Sequence, residues 1–161
     1  METELTRIGC SATTPTLECI NPRRGVWAAR WDYVTDPETG TTECSEARFD
    51  HQPTPEEIRA IRTEAINAAT AERILSGMTW EGIPVWLSPE AQANIAAIER
   101  LGEDAPYPLR LKLGEAVDGT PAYHTFPSAA AFLAFSRAVT THILTTLQSG
   151  YAAKDTALPI P

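Results

Sequence analysis

Basic charge is scarce in this sequence. Lys and Arg number 13 against 21 Asp and Glu in 161 residues, a formal net charge of −8. A nucleic-acid surface neutralises phosphates with clustered cations, so no nucleic-acid partner is expected, and an anionic membrane is disfavoured for the same reason. Long apolar runs are also missing: none approaches the roughly 20 residues of a bilayer span. The opening Met1-Glu2-Thr3-Glu4 is acidic and leads into no apolar stretch, so no signal peptide is expected. Cysteine is rare and odd in number, at Cys10, Cys19 and Cys44, with no metal-ligand spacing. A Cys10–Cys19 bridge is geometrically open, but reduced thiols of a cytoplasmically made protein are the expected state.

Catalytic arrangements are equally thin. There is no Gly-x-Ser-x-Gly elbow, P-loop or dinucleotide fingerprint. His51, His124 and His142 lie far apart in the chain, and Asp50 and His51, adjacent on a strand, would point to opposite faces. Glu56-Glu57 is explained by the electrostatics of a helix start and Glu103-Asp104 by a solvated loop. Ser76, Ser88, Ser128 and Ser149 sit at predicted helix ends. The expectation is therefore no catalytic residue, no metal and no cofactor.

What is present is a regular alternation of two patterns. The chain is organised around Ile74–Leu87, where Met78, Trp80, Ile83, Val85 and Leu87 flank Glu81-Gly82 as a tight β-hairpin. Pro84 has no N–H for a ladder and predicts an edge, a bulge or a strand start. Before it, Gln52-Pro53-Thr54-Pro55-Glu56-Glu57 opens a helix through a Thr54/Glu57 capping box, and Ile58, Ile61, Ala65 and Ala68 or Ala69 follow at helical spacing to a stop near Gly77. After it, Ser88-Pro89 starts a helix with an Ile95, Ile98, Leu101 stripe closed by Gly102. Leu109, Leu111 and Leu113 alternate with Arg110 and Lys112 on a half-buried strand that turns at Asp118-Gly119 and returns through Tyr123–Phe126. Ser128 caps a last helix with Phe132, Phe135, Val139, Ile143 and Leu147 on one face, ending at Gly150.

Upstream, Val26–Val34 alternates with Trp27, Ala29, Trp31 and Tyr33 on one face, turns at Asp36–Gly40 and returns through Thr41–Phe49. An isolated hairpin with such an aromatic face needs cover from its own domain or another chain. Residues 1–24 show no sustained period and read as an irregular arm, or one exchanged with a neighbouring subunit. The expected fold is α+β: an N-terminal β-hairpin, then helix–hairpin–helix–hairpin–helix, with antiparallel strands and helices packed on one face. The expected segments are the arm (1–24), the β-hairpin (25–52) and an α+β domain (53–161).

The run Ile74-Leu75-Ser76-Gly77-Met78-Thr79-Trp80-Glu81-Gly82-Ile83-Pro84-Val85-Trp86-Leu87-Ser88, followed by Glu90, Gln92 and Asn94, resembles a phage and prophage domain family of unknown function, DUF4376. Leu109–Gly114, Tyr123-His124-Thr125-Phe126 and the Leu147–Gly150 end before Lys154-Asp155 resemble that family's second half. Gly25–Tyr33 and Phe49–Ile58 resemble its upstream region, so the likeness covers about residues 25–155. It implies a role beside tail or tail-fibre proteins and implies no catalytic residue. On that basis the expectation is a non-enzymatic tail structural protein in a fibre, baseplate or tail tip, located in the virion tail after assembly in the host cytoplasm. The alternatives are a tail-fibre assembly chaperone and, last, a small hydrolase. Its partners would be other tail or fibre proteins or further copies of itself, met through Trp27, Trp31 and Tyr33 first and Trp80 and Trp86 second; the stronger expectation for Trp80 and Trp86 is core packing.

Overall fold

The computed structural model describes residues 5–156. The protein is mixed α and β; among the described residues the strands pair antiparallel and there are three α-helices. The described residues form two compact units, one ending at Thr63 and the other spanning Glu64–Thr156. The division therefore falls inside the first helix, not after residue 52. The helix's opening turns belong with the upstream strands because Ile58 and Ile61 pack on them.

In the first unit, β1 (Leu5–Cys10), β2 (Leu17–Asn21), β3 (Val26–Thr35) and β4 (Thr42–Phe49) make one sheet in the order β1-β4-β3-β2. The irregular arm expected over 1–24 is corrected here; residues 1–4 lie outside the described residues. β1 pairs with β4 and β2 with β3, so both short strands are the edges of the chain's own sheet. Each is too short to show a period; the partner of β1 is distant in sequence, while β2 turns back onto the neighbouring β3. The cover that the aromatic face of the β3–β4 hairpin needs comes from Ile58 and Ile61 of the first helix.

One face of the sheet carries Trp27, Ala29, Trp31, Ala47 and Phe49 against Ile58 and Ile61. The expected placing of Tyr33 on that face is wrong. Asp32 has φ +54°, and the β3–β4 register shifts between Trp31 and Val34, so Asp32 and Tyr33 together oppose one residue of β4. This bulge turns Tyr33 to the Arg30 side. The register also rules out the Cys10–Cys19 bridge. Those residues lie on opposite edge strands, three inter-strand steps apart, and level with opposite ends of β3, Cys10 with Thr35 and Cys19 with Trp27, far beyond a disulfide's Cα span.

The first helix, α1 (Pro55–Leu75), starts at the expected capping box: Thr54 N–H and Oγ1 donate to Glu57 Oε2 at 2.7 and 2.9 Å, and Glu57 N–H donates to Thr54 Oγ1 at 3.3 Å. Gly77 follows it with φ +82°, its N–H donating to Ile74 O at 3.0 Å. Then come β5 (Met78–Trp80) and β6 (Ile83–Val85), joined through Glu81 at φ +49° and Gly82 at φ +79°. Two positive φ values in succession make the mirror-image turn that matches strand twist. Trp86 N–H donates to Leu113 O at 2.8 Å, so β6 runs on beside the next hairpin. Pro84, two residues earlier, presents its missing donor to that same side, where the ladder has few bonds to lose.

Helix α2 (Pro89–Leu101), a single 3-10 turn at Gly102–Asp104, β7 (Leu109–Glu115), β8 (Pro121–Phe126) and α3 (Ala129–Thr156) complete the second unit. Its core is Val85, Leu87, Ile95, Leu113, Phe126, Phe132, Phe135 and Val139. Phe126 lies 5.1 Å from both Phe132 and Phe135, ring centre to ring centre. Gly150 does not end α3, which continues to Thr156. A Cβ there would lie 2.5 Å from Thr70 Oγ1, so Gly150 permits close approach of α1 to α3. By length and composition α3 is also apolar enough to cross a membrane, contrary to the expectation for the chain. Its Phe132, Phe135 and Val139 are committed to the core just described.

Glu81 holds a left-handed conformation that Asn or Gly adopts at lower cost. Glu81→Asn is expected to stabilise the protein by about 0.5–1 kcal/mol. Gly77→Ala, whose Cβ would stand 2.1 Å from Val85 O, is expected to destabilise it by about 2 kcal/mol or more. Thermal unfolding of the two variants checks both signs.

Candidate functional site

The five aromatic residues expected at a contact surface are placed in four different settings. Trp31 is 7% exposed and part of the sheet core, with the Arg62 guanidinium 5.7 Å from its ring centre. It is a core residue. Trp27 is half-buried against the same cluster. Tyr33 is half-buried on the other face, its hydroxyl donating to Thr14 O at 3.0 Å, and it anchors the β1–β2 connection. Trp80 packs on the second core with its ring edge-on to Phe135 at 5.8 Å, and its Nε1–H is buried without a partner among the described residues. Trp86 alone stays open, 46% exposed, with Lys112 Nζ 4.7 Å from its ring centre.

The outer side of β7–β8 extends this opening. Lys112 faces Tyr123 across the ladder, and Arg110 stands over the Tyr123 ring at 4.2 Å. Tyr123 is 47% exposed. The alternation Leu109-Arg110-Leu111-Lys112-Leu113 sends both cations outward. That much is legible in the sequence. The placing of Trp86 beside Lys112 is not, because it depends on the Trp86–Leu113 backbone bond.

The first unit holds the strongest electrostatic arrangement. On the sheet face opposite Trp27 and Trp31, Arg30 Nε donates to Glu46 Oε2 at 2.8 Å, Arg30 Nη1 to Glu18 Oε2 at 2.9 Å, and Arg48 Nε to Glu46 Oε1 at 2.8 Å. Glu46 is 2% exposed and Arg30 9%. Burial alone would raise the Glu46 pKa, but the hydrogen bonds and charges of Arg48 and Arg30 outweigh it and hold the carboxyl below its ordinary value. Arg30 also donates to Pro15 O at 3.1 Å, so this ladder pins the β1–β2 connection over the sheet. Cys44 is fully buried on the same face, and burial, helped by a hydrogen bond with Cys10, pushes its thiol up to about 11. Such a thiol is un-ionised at neutral pH and unreactive.

A cavity of about 400 Å³ opens at the end of β4, lined by Arg48, Phe49, Asp50, His51, Glu57 and Ile61 among others. Here Asp50 and His51 do meet, against expectation, because the strand ends at Phe49 and the backbone bends. His51 Nδ1 lies 2.8 Å from Asp50 Oδ1 and Nε2 lies 3.0 Å from Glu57 Oε1. Hydrogen bonding to the carboxylates of Asp50 and then Glu57 raises the His51 pKa. Both ring nitrogens are thus held against carboxylates, which favour the protonated ring. It ties the strand end to the first turn of α1. The other two histidines are placed separately: His124 is tilted on Phe126 at 4.5 Å and His142 lies on α3. Among the described residues no three His, Cys, Asp or Glu are grouped to hold a metal.

Removing one member of a buried ion pair strands the other, so Arg30→Met is expected to destabilise the protein by about 3 kcal/mol at neutral pH. The Glu46 pKa is lowered in the folded state. Its contribution is therefore present above its unfolded value near 4.3 and lost as pH falls through the folded value. The stability gap between Arg30→Met and the parent is expected to narrow below about pH 4, as Glu46 becomes neutral in both. Urea unfolding at pH 7 and pH 3 checks it; a gap that widens in acid would contradict the ladder's role. Comparison of the chain with protein-family models, curated proteins and solved structures found no match.

Proposed function

We propose that this chain is a non-enzymatic component of a bacteriophage or prophage tail, in a fibre, baseplate or tail tip, that works by contact with other proteins. The observation that carries this reading is Trp86. It sits beside β7 with nearly half its surface open, across Lys112 from the equally open Tyr123, while the other tryptophans of the central and upstream hairpins are more enclosed. Open tryptophan and tyrosine beside an arginine are the residue types enriched at protein interfaces. The resemblance of residues 25–155 to a phage and prophage family supplies the setting: the virion tail, after assembly in the host cytoplasm. In this reading α2 and α3 pack on the inner side of the strands and leave the outer side for tail or fibre proteins, or for further copies of the chain.

Mass spectrometry of purified particles tests it. The chain is expected in mature particles, and Trp86→Ser is expected to lower its incorporation about tenfold or more, the effect of losing an interface anchor. Thermal unfolding should be little changed, because Trp86 lies outside the second core. Absence from mature particles, combined with association with fibre protein in infected cells, would assign the chain to fibre assembly as a chaperone. Hydrolysis by the purified chain would instead revive an enzymatic role.

A further inference from the structure

Arg110, Tyr123, Lys112 and Trp86 form one continuous exposed row across the second unit. Arg110 and Lys112 alternate on β7, Tyr123 is the cross-strand partner of Lys112, and Trp86 reaches the row through its bond to Leu113 O. Each cation is seated on a ring, Arg110 at 4.2 Å and Lys112 at 4.7 Å. Among the described residues Arg110 makes no ion pair, and Lys112 makes one, with Glu115, at a position open to solvent. The second core does not use this row: Leu111, Leu113 and Phe126 pack on the opposite side of the hairpin.

We propose that the row is a docking surface for an extended, acidic segment of a partner protein, with carboxylates at alternate residues. This rests on the reading that the chain acts through protein contacts, and it adds the partner's chemistry. Alternate residues of an extended chain are about 6.7 Å apart on one side, so the carboxylates would repeat at the spacing of Arg110 and Lys112. The rings hold both cationic heads in place, which lowers the ordering cost of binding. The Arg110 fork can take a carboxylate through two N–H donors, and Lys112 can exchange the Glu115 carboxylate for the partner's at little loss, since that pair is exposed. The open edges of Trp86 and Tyr123 supply apolar contact beside the charges. A net charge of −8 repels an acidic partner at distance, so binding depends on these short-range contacts.

Fluorescence anisotropy of the full chain with labelled peptides tests the inference. The probes are an alternating Thr-Glu peptide, its Thr-Gln and Thr-Lys counterparts, and a single-stranded oligonucleotide of similar length. The Thr-Glu peptide is expected to bind about tenfold or more tightly than the Thr-Gln peptide, the worth of charge-assisted hydrogen bonds. Arg110→Gln and Lys112→Gln, separately and together, are expected to remove that preference with the thermal transition unchanged. Equal binding of the Thr-Glu and Thr-Gln peptides, or a preference that survives the double variant, would overturn the proposal. So would oligonucleotide binding as tight as the acidic peptide's, which would reveal a general polyanion site. If the acidic preference is absent but Trp86→Ser still lowers incorporation into particles, the acidic partner is wrong while the protein-contact reading stands. If the preference holds and the chain is absent from mature particles, the docking surface stands and tail membership falls.

Discussion

The second unit depends on how closely its backbone can approach β6. Two carbonyls of that short strand are met by glycines from either side: a Cβ on Gly77 would lie 2.1 Å from Val85 O, and one on Gly114 would lie 2.4 Å from Pro84 O. No side chain fits at either place. The end of α1 and the last turnward residues of β7 are thereby drawn onto the same three residues. Trp80 then packs edge-on to Phe135, and Trp86 comes to rest beside Lys112. Burial of the phenylalanine cluster supplies most of the stabilisation, but the glycines decide which residues face the core and which are left outside.

The first unit uses a different means. Its sheet is buried on both faces, one apolar and one charged. On the charged face the Glu46 carboxylate is satisfied by two guanidinium groups, and Arg30 extends the ladder to Glu18 and to the Pro15 carbonyl. A buried ionic ladder adds less net stability than an apolar core of equal volume, but it tolerates few alternative pairings. That selectivity suits edge strands whose own sequences say little about where they belong. The same logic applies at the sheet's end, where Asp50, His51 and Glu57 join β4 to α1.

The sequence made the local features legible and left the non-local ones hidden. The Thr54/Glu57 box, the stop at Gly77, the positive-φ turn at Gly82, the Ser88-Pro89 start and the Leu109–Leu113 alternation all stand where their residue chemistry puts them. Each is decided within a few residues. β1 was not legible because its partner lies far along the chain, and β2, which turns back onto the neighbouring β3, because its five residues carry a register shift after Cys19 and show no sustained alternation. Gly150 carries the ordinary signal of a helix end, and only its proximity to Thr70 gives it another use. The aromatic face of β3 was half right: Trp27 and Trp31 share it, and the extra residue at Asp32 removes Tyr33 from it. For the candidate surface, the outward cations were readable and Trp86 had been named. The meeting of Trp86, Lys112 and Tyr123 required the strand register.

The bulge in β3 also has a genetic consequence. Across β3–β4 the pairing runs without a gap from Trp27↔Phe49 to Trp31↔Ser45 and resumes at Val34↔Glu43, so one residue of β3 is surplus to the ladder. Loss of codon 32 would restore an unbroken strand with every remaining side chain on its present side. Loss of a codon three positions earlier would reverse the strand's facing from there to the bulge. In descendants of this gene, single-codon length changes within β3 should therefore collect at one point, and an aligned gap there would mark a neutral length change.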